Sequence, residues 1–340
     1  MGKGYPSEND GWRKHDVLGA EGKVVGGASF EISKAQPHCL SGSNCQTSTP
    51  RRRKRNARGG PNVDIIGEPR EINRMALKIL LLAMNASVLS FKSTAAILPQ
   101  SPDNSGTIDV RFPVPVYYQQ YAAQDGNPAP TTGRLLLLLP PNFDSRRAWP
   151  ILIVTATKDA GHTGPSDAPW YRAPATAEGW IVLATDATIR PRNDSVGWRL
   201  ALLAAGLDVV HRDWPKSTQW PVVFAGISGG AKCAQWLGAA LAQTQSLNIC
   251  GFFLSGINED QMPEALKTNR APPGFLRLPV WISSGINDRI ATPSQEEQVK
   301  GSLVRTGFQN VHLSRFSGGH EVSRADLRSA LKWFREQRHF

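Results

Sequence analysis

The chain has 340 residues, 40% of them hydrophobic, with four cysteines and 39 Lys+Arg against 28 Asp+Glu. That is enough apolar material for one large core or two modest ones, so neither a disulfide-stapled mini-protein nor a wholly disordered chain fits. The net charge of +11 invites a nucleic-acid reading, because a basic excess is the sequence-independent part of phosphate binding. Its distribution decides against that reading.

Residues 1–74 carry 13 Lys+Arg and 8 Asp+Glu, an excess of +5, while the remaining 266 residues carry 26 and 20, an excess of +6. Six of the leader's positive charges fall between Arg51 and Arg58. The leader is rich in Gly, Ser and Asn, with few apolar residues at helical or strand spacing, so it cannot bury enough surface to offset chain ordering and is expected to be disordered. The run Arg51-Arg52-Arg53-Lys54-Arg55 has the form of a nucleic-acid or nuclear-import patch, but no aromatic residues interleave with it as a stacking surface requires. A solvated stretch upstream of the true start is the preferred reading.

Met75-Ala76-Leu77-Lys78 then supplies a start residue and a positive charge. Ile79 to Leu89 is mostly apolar, and Ser93-Thr94-Ala95-Ala96 offers small residues for cleavage. These are the three parts of a secretory signal, with a buried helix as the alternative. The apolar stretch is too short to span a bilayer, so no stable membrane anchor is expected. The reading is a leader at 1–74, a signal segment at 75–96, and one folded domain at 97–340, secreted or periplasmic.

From Thr107 the pattern changes. Thr107–Phe112 alternates like an edge strand; Arg134–Leu139, Pro150–Thr155, Trp180–Thr185, Val222–Ile227, Cys250–Ser255, Val280–Ser284 and Val311–Phe316 follow as short apolar runs bounded by turn residues. Such runs are what strands covered on both faces look like. Helical patterns lie between them at Ala173–Glu178, Ser195–His211, Gly229–Gln243, Ser294–Arg305 and Ala325–Gln337, with Asp194 as an expected N-cap and Asp326 in the first turn of the last helix. The alternation predicts a mainly parallel, doubly wound α/β domain of about eight strands with helices on both faces. Of the cysteines, Cys39 and Cys45 fall in the leader. Cys233 falls within about two turns of the sheet edge that carries Ser228 while Cys250 opens its strand at the opposite edge, and they are expected to be two free, buried thiols rather than a bridge. Neither pair has metal-site spacing, and nothing calls for a cofactor or metal.

The chemistry is at the middle strand. Val222-Val223-Phe224-Ala225 leads into Gly226-Ile227-Ser228-Gly229-Gly230 and then a helical stretch. This is G-x-S-x-G in strand-to-helix context, where a serine on a sharp, strained turn needs neighbours without side chains. The Gly229 N–H at the helix N-terminus suits an oxyanion. A serine hydroxyl needs a base and a carboxylate to orient it. His320, in the loop Ser317–Glu321 past the last strand, is the base expected, ahead of His162, His211 and His312. Asp288, after the strand Val280–Ser284, is the expected acid, with Asp260 as its rival.

On these motifs the body from about Thr107 to Gln337 resembles the α/β-hydrolase superfamily, each of Ser228, Asp288 and His320 following its own strand. Its nearest look is to secreted serine esterases of the polyester-depolymerase and feruloyl-esterase-like type. The resemblance implies hydrolysis of small-molecule or polymeric carboxylic esters by a Ser-Asp-His triad, with an amidase or peptidase of the same fold, or a non-catalytic binding protein, as alternatives. Many esterases of the superfamily carry a His-Gly-Gly motif after the third strand, which supplies a second oxyanion donor. Here the segment reads Thr155-Ala156-Thr157-Lys158-Asp159, so a donor near Thr157 or Lys158 takes that place, with Thr157 preferred. Trp170 and Tyr171, Arg190 to Trp198, and Asn258 to Pro273 are the loops expected to wall the cleft.

Overall fold

The computed structural model describes residues 97–100, 106–158, 161–244 and 247–340. The basic leader with Cys39 and Cys45, and the signal segment at 75–96, lie outside the described residues.

Eight strands form one sheet: β1 (Thr107–Pro113), β2 (Thr132–Leu138), β3 (Ile151–Thr155), β4 (Ile181–Ala187), β5 (Pro221–Ile227), β6 (Asn248–Ser255), β7 (Val280–Gly285) and β8 (Val311–Phe316). Their order is β1-β2-β4-β3-β5-β6-β7-β8. β2 runs antiparallel to both neighbours, and the pairs from β4 to β8 are parallel. This is the α/β-hydrolase fold expected from the alternation of apolar runs.

Alternate residues of the inner strands β2 to β7 feed two separate cores. Leu135, Leu137, Ile151, Ile153, Val222 and Phe224 point to one face, and Leu136, Leu138, Leu152, Val154, Val223 and Ala225 to the other, the two-residue period of a pleated strand. The first face is covered by helices α1 (Val116–Ala122), α3 (Val196–Asp213), α4 (Gly229–Ala242), α5 (Met262–Thr268) and α6 (Pro293–Thr306). The second is covered by α2 (Gly164–Ala177) and α7 (Arg324–Arg338). On α7 the buried residues Leu327, Ala330, Leu331 and Phe334 recur every three or four positions, a single apolar stripe. Asp326 in its first turn accepts from Trp281 Nε1 at 3.1 Å and the Ser314 hydroxyl at 2.6 Å, tying the helix to β7 and β8.

Three local expectations change. The helix read as Ala173–Glu178 begins at Gly164. It contains Pro169 and Pro174, but a capping box between Thr163 and Ser166 starts it and Ala168, Tyr171 and Ala175 bury against the sheet. Packing outweighs the lost backbone donors here. The short helices α1 and α5 were not anticipated. The cap of α3 is Ser195, whose hydroxyl accepts from Trp198 N; Asp194 instead pairs with Arg199. Cys233 and Cys250 are free and buried, as expected, and burial pushes both thiols up.

Candidate active site

β5 is buried along its whole length and delivers Ser228 at its carboxyl end. Ser228 has φ 56° and ψ −124°, a left-handed backbone that a side-chain-bearing residue adopts only when its surroundings force it. The forcing is steric. A Cβ on Gly226 would lie 2.3 Å from the Gly230 carbonyl carbon, and one on Gly230 would lie 2.4 Å from the Thr155 carbonyl oxygen. Ser228 N donates to Ser255 O at 2.9 Å, so the turn is also pinned to β6. Gly229 opens α4, where backbone N–H groups are unsatisfied and the helix dipole is positive. A Cβ there would meet the Thr157 hydroxyl at 2.5 Å, so Thr157 stands against the N-terminal turn of α4.

Asp288 sits in the turn after β7 and is 4% exposed. Its Oδ1 accepts from Ile290 N at 2.8 Å and Ala291 N at 2.9 Å, leaving Oδ2 for His320 Nδ1 at 2.7 Å. An ionised carboxylate only accepts, so the shared proton belongs to Nδ1 and the neutral ring presents Nε2 as a base. The ring of His320 packs over Gly256, where a Cβ would come 2.9 Å from Cε1. Ser228 and His320 open into one cleft of about 540 Å³, with Thr157, Trp170, Ile227 and Ile290 on its walls.

Three of the four rivals weighed from sequence are engaged elsewhere. Asp260 accepts from the Gln235 amide and Met262 N. His211 meets the Ser217 hydroxyl, and burial pulls its imidazole down to about 4. His312 packs against Trp281. His162 alone among them lines the Ser228 cleft. Of the aromatic candidates, Trp170 reaches the cleft, whereas Tyr171, the next residue of α2, is fully buried in the core. Trp198 and Lys158 line an adjoining cavity of about 410 Å³ that also touches His162.

Two groups that sequence reading did not single out, one half-buried and one buried, lie against this geometry. Arg199, on α3, donates to the carbonyls of Ala156 and Thr157, the latter at 2.7 Å, while its guanidinium is held by Asp194. It thereby anchors the connection after β3 from outside. Glu296, in the first turn of α6, is buried, and among the described residues no hydrogen bond of full geometry reaches its carboxyl oxygens. Burial first, then the nearby Asp288 charge, pushes its carboxyl up to about 7, against the pull of the neighbouring Ser284 hydroxyl. Neither residue lies in a recognisable motif, and only the approach of distant elements gives it a role.

A scan against protein-family models finds no match, and no curated protein matches. Solved structures do resemble the chain. A carboxylesterase of Bacillus cereus is 16% identical, with 65% of this chain and 99% of that chain covered and a TM-score of 0.41. A lidless a/b serine hydrolase of Xanthomonas campestris is 17% identical over 71% and 97%, with a TM-score of 0.46. Est1E of Butyrivibrio proteoclasticus is 16% identical over 64% and 97%, with a TM-score of 0.44. At such identities the likeness concerns the fold alone.

Proposed function

We propose that this chain is a serine hydrolase that cleaves carboxylic esters through an acyl-enzyme on Ser228, with His320 as base and Asp288 as the orienting acid. One observation carries the reading. A serine on a sterically enforced elbow shares a cleft with an imidazole whose Nδ1 lies 2.7 Å from a buried carboxylate.

In the proposed reaction His320 Nε2 takes the Ser228 proton as Oγ attacks the ester carbonyl, and Asp288 stabilises the imidazolium that forms. The Gly229 N–H and a donor at Thr157 hold the oxyanion. His320 returns the proton to the leaving alcohol. Water, deprotonated by the same imidazole, then releases the acid and restores Ser228. The narrower assignment to secreted esterases of the polyester-depolymerase or feruloyl-esterase-like type rests on the sequence resemblance and on the segment 75–96, with 97–340 as the working domain. N-terminal sequencing of exported protein tests it: a new terminus near Ile97 supports export, and an intact product beginning at Met1 refutes it.

Ser228→Ala should lower p-nitrophenyl ester turnover by about 10⁶-fold while leaving the thermal midpoint in place, and an organophosphonate should label wild type only at Ser228. Undiminished turnover in the variant would refute the assignment. Aryl amides and peptides run beside the esters decide between the two bond types.

A further inference from the structure

The cleft holds a second imidazole oriented by a second buried carboxylate. His162 Nδ1 lies 2.9 Å from Asp167 Oδ1, and the Asp167 side chain is only 2% exposed. The same oxygen accepts from the Ser166 hydroxyl at 3.0 Å, while Oδ2 has no hydrogen-bond partner among the described residues. Asp167 is fixed by its place in the first turn of α2, just after the Thr163–Ser166 capping box. The His162 ring meets Trp170 edge-on at 5.8 Å. His162, Asp167 and Trp170 all line the cavity that Ser228 and His320 line. With its side chain 40% exposed, His162 adds little to the core, so stability does not account for a buried acid directed at it.

The chemistry follows from the donor inventory. Asp167 as a carboxylate only accepts, so Nδ1 of His162 carries a proton. The neutral ring then leaves Nε2 as an acceptor, as at His320; the protonated ring makes Nε2 a donor. A pair of imidazoles in one site divides naturally into a base and an electrophile. His162 belongs to the connection from β3 to α2 that also carries Thr157, which stands against Gly229 at the N-terminal turn of α4. That connection lacks the glycine pair that elsewhere provides a backbone donor, and its carbonyls at Ala156 and Thr157 are occupied by Arg199.

We propose that His162, held by Asp167, is a substrate-contacting electrophile of the Ser228 cleft: its Nε2–H hydrogen-bonds the ester carbonyl oxygen as that oxygen becomes negative, and the proton stays on the imidazole. The inference rests on the ester-hydrolase reading and adds a third donor to it. The charged groups facing His162 are Asp167 on α2 and, across the cleft after β8, His320, Glu321 and Arg324. From the adjoining cavity come Arg134 on β2, Lys158, Asp186 on β4, Arg190 and the Asp194–Arg199 pair.

The test is kcat and KM for a p-nitrophenyl ester in wild type and two variants of similar size. His162→Gln keeps a side-chain N–H donor, and its kcat should stay within about tenfold of wild type. His162→Phe has no donor and should lose on the order of 10²-fold in kcat, with KM little changed. A kcat for His162→Phe within about twofold of wild type, or one for His162→Gln no higher than that of His162→Phe, overturns the proposal. Should either variant fail to fold by circular dichroism, Asp167→Ala takes its place: it frees the ring and should lower kcat by about tenfold with KM little changed, and an unchanged kcat overturns the proposal equally. Phosphonate labelling of Ser228 separates the two levels: labelling with an unchanged kcat in the His162 variants sinks this inference alone, and absence of labelling sinks the hydrolase reading beneath it.

Discussion

Two connections meet at Ser228, and different forces hold them. The elbow after β5 is set by backbone contact: Gly226, Gly230 and the Thr155 carbonyl are packed so closely that no Cβ fits. The connection from β3 to α2 is longer and is set by polar side chains. Arg199 takes its carbonyls, Asp167 takes His162, and Thr163 and Ser166 cap the helix that ends it. Backbone packing fixes one atom, the Ser228 hydroxyl, with little freedom to lose. Side-chain anchoring leaves a wall that can be tuned one residue at a time, as a surface that discriminates among substrates requires.

The contrast can be broken most severely at the elbow. Gly230→Ala forces a methyl into the Thr155 carbonyl, and it should cost more than about 4 kcal/mol, seen as loss of soluble protein or a collapsed urea midpoint. Arg199→Met should act on the other connection. It frees the Ala156 and Thr157 carbonyls and leaves Asp194 without its guanidinium, and kcat should fall about 10–100-fold with a smaller loss of stability. A stability loss as large as that of Gly230→Ala would mean that Arg199 holds the core rather than the wall.

Glu296 offers a sharper test on the Asp288 side of the cleft. Its folded carboxyl is raised to about 7, so its stabilising contribution is full below the ordinary carboxylate range and is lost as pH rises through 7. Glu296→Gln should therefore raise the thermal midpoint at pH 8 relative to wild type and change it little at pH 4. An equal gain at both would exclude the carboxyl as the cause. Least of all, Trp170→Ala, at an exposed cleft position, should leave stability within about 0.5 kcal/mol and act on KM rather than kcat.

How much of the site was legible depended on whether its cause is local. Ser228 follows from five consecutive residues, because the steric demand of the elbow is met within the turn itself. Asp288 and His320 were legible as acids and bases lying past strand ends, since parallel strands gather their carboxyl ends on one side of a sheet. The 2.7 Å bond between them is a product of two loops separated by the whole of α6 and β8. Arg199 and Glu296 lay in unremarked helix positions, and α2 was read nine residues short at its start, where the capping box and the packing against the sheet that begin it are set by the fold.

By itself, then, the sequence determined the eight apolar runs, their parallel alternation with helices and the serine elbow, because apolar periodicity and backbone sterics act over a few neighbouring residues. Only the tertiary structure decided that α2 persists through two prolines, that a guanidinium from α3 grips the connection after β3, and that His162 faces the same cleft as His320. Those outcomes depend on burial and on charges meeting across the fold, and no short stretch of chain contains both partners together with the packing that brings them into contact.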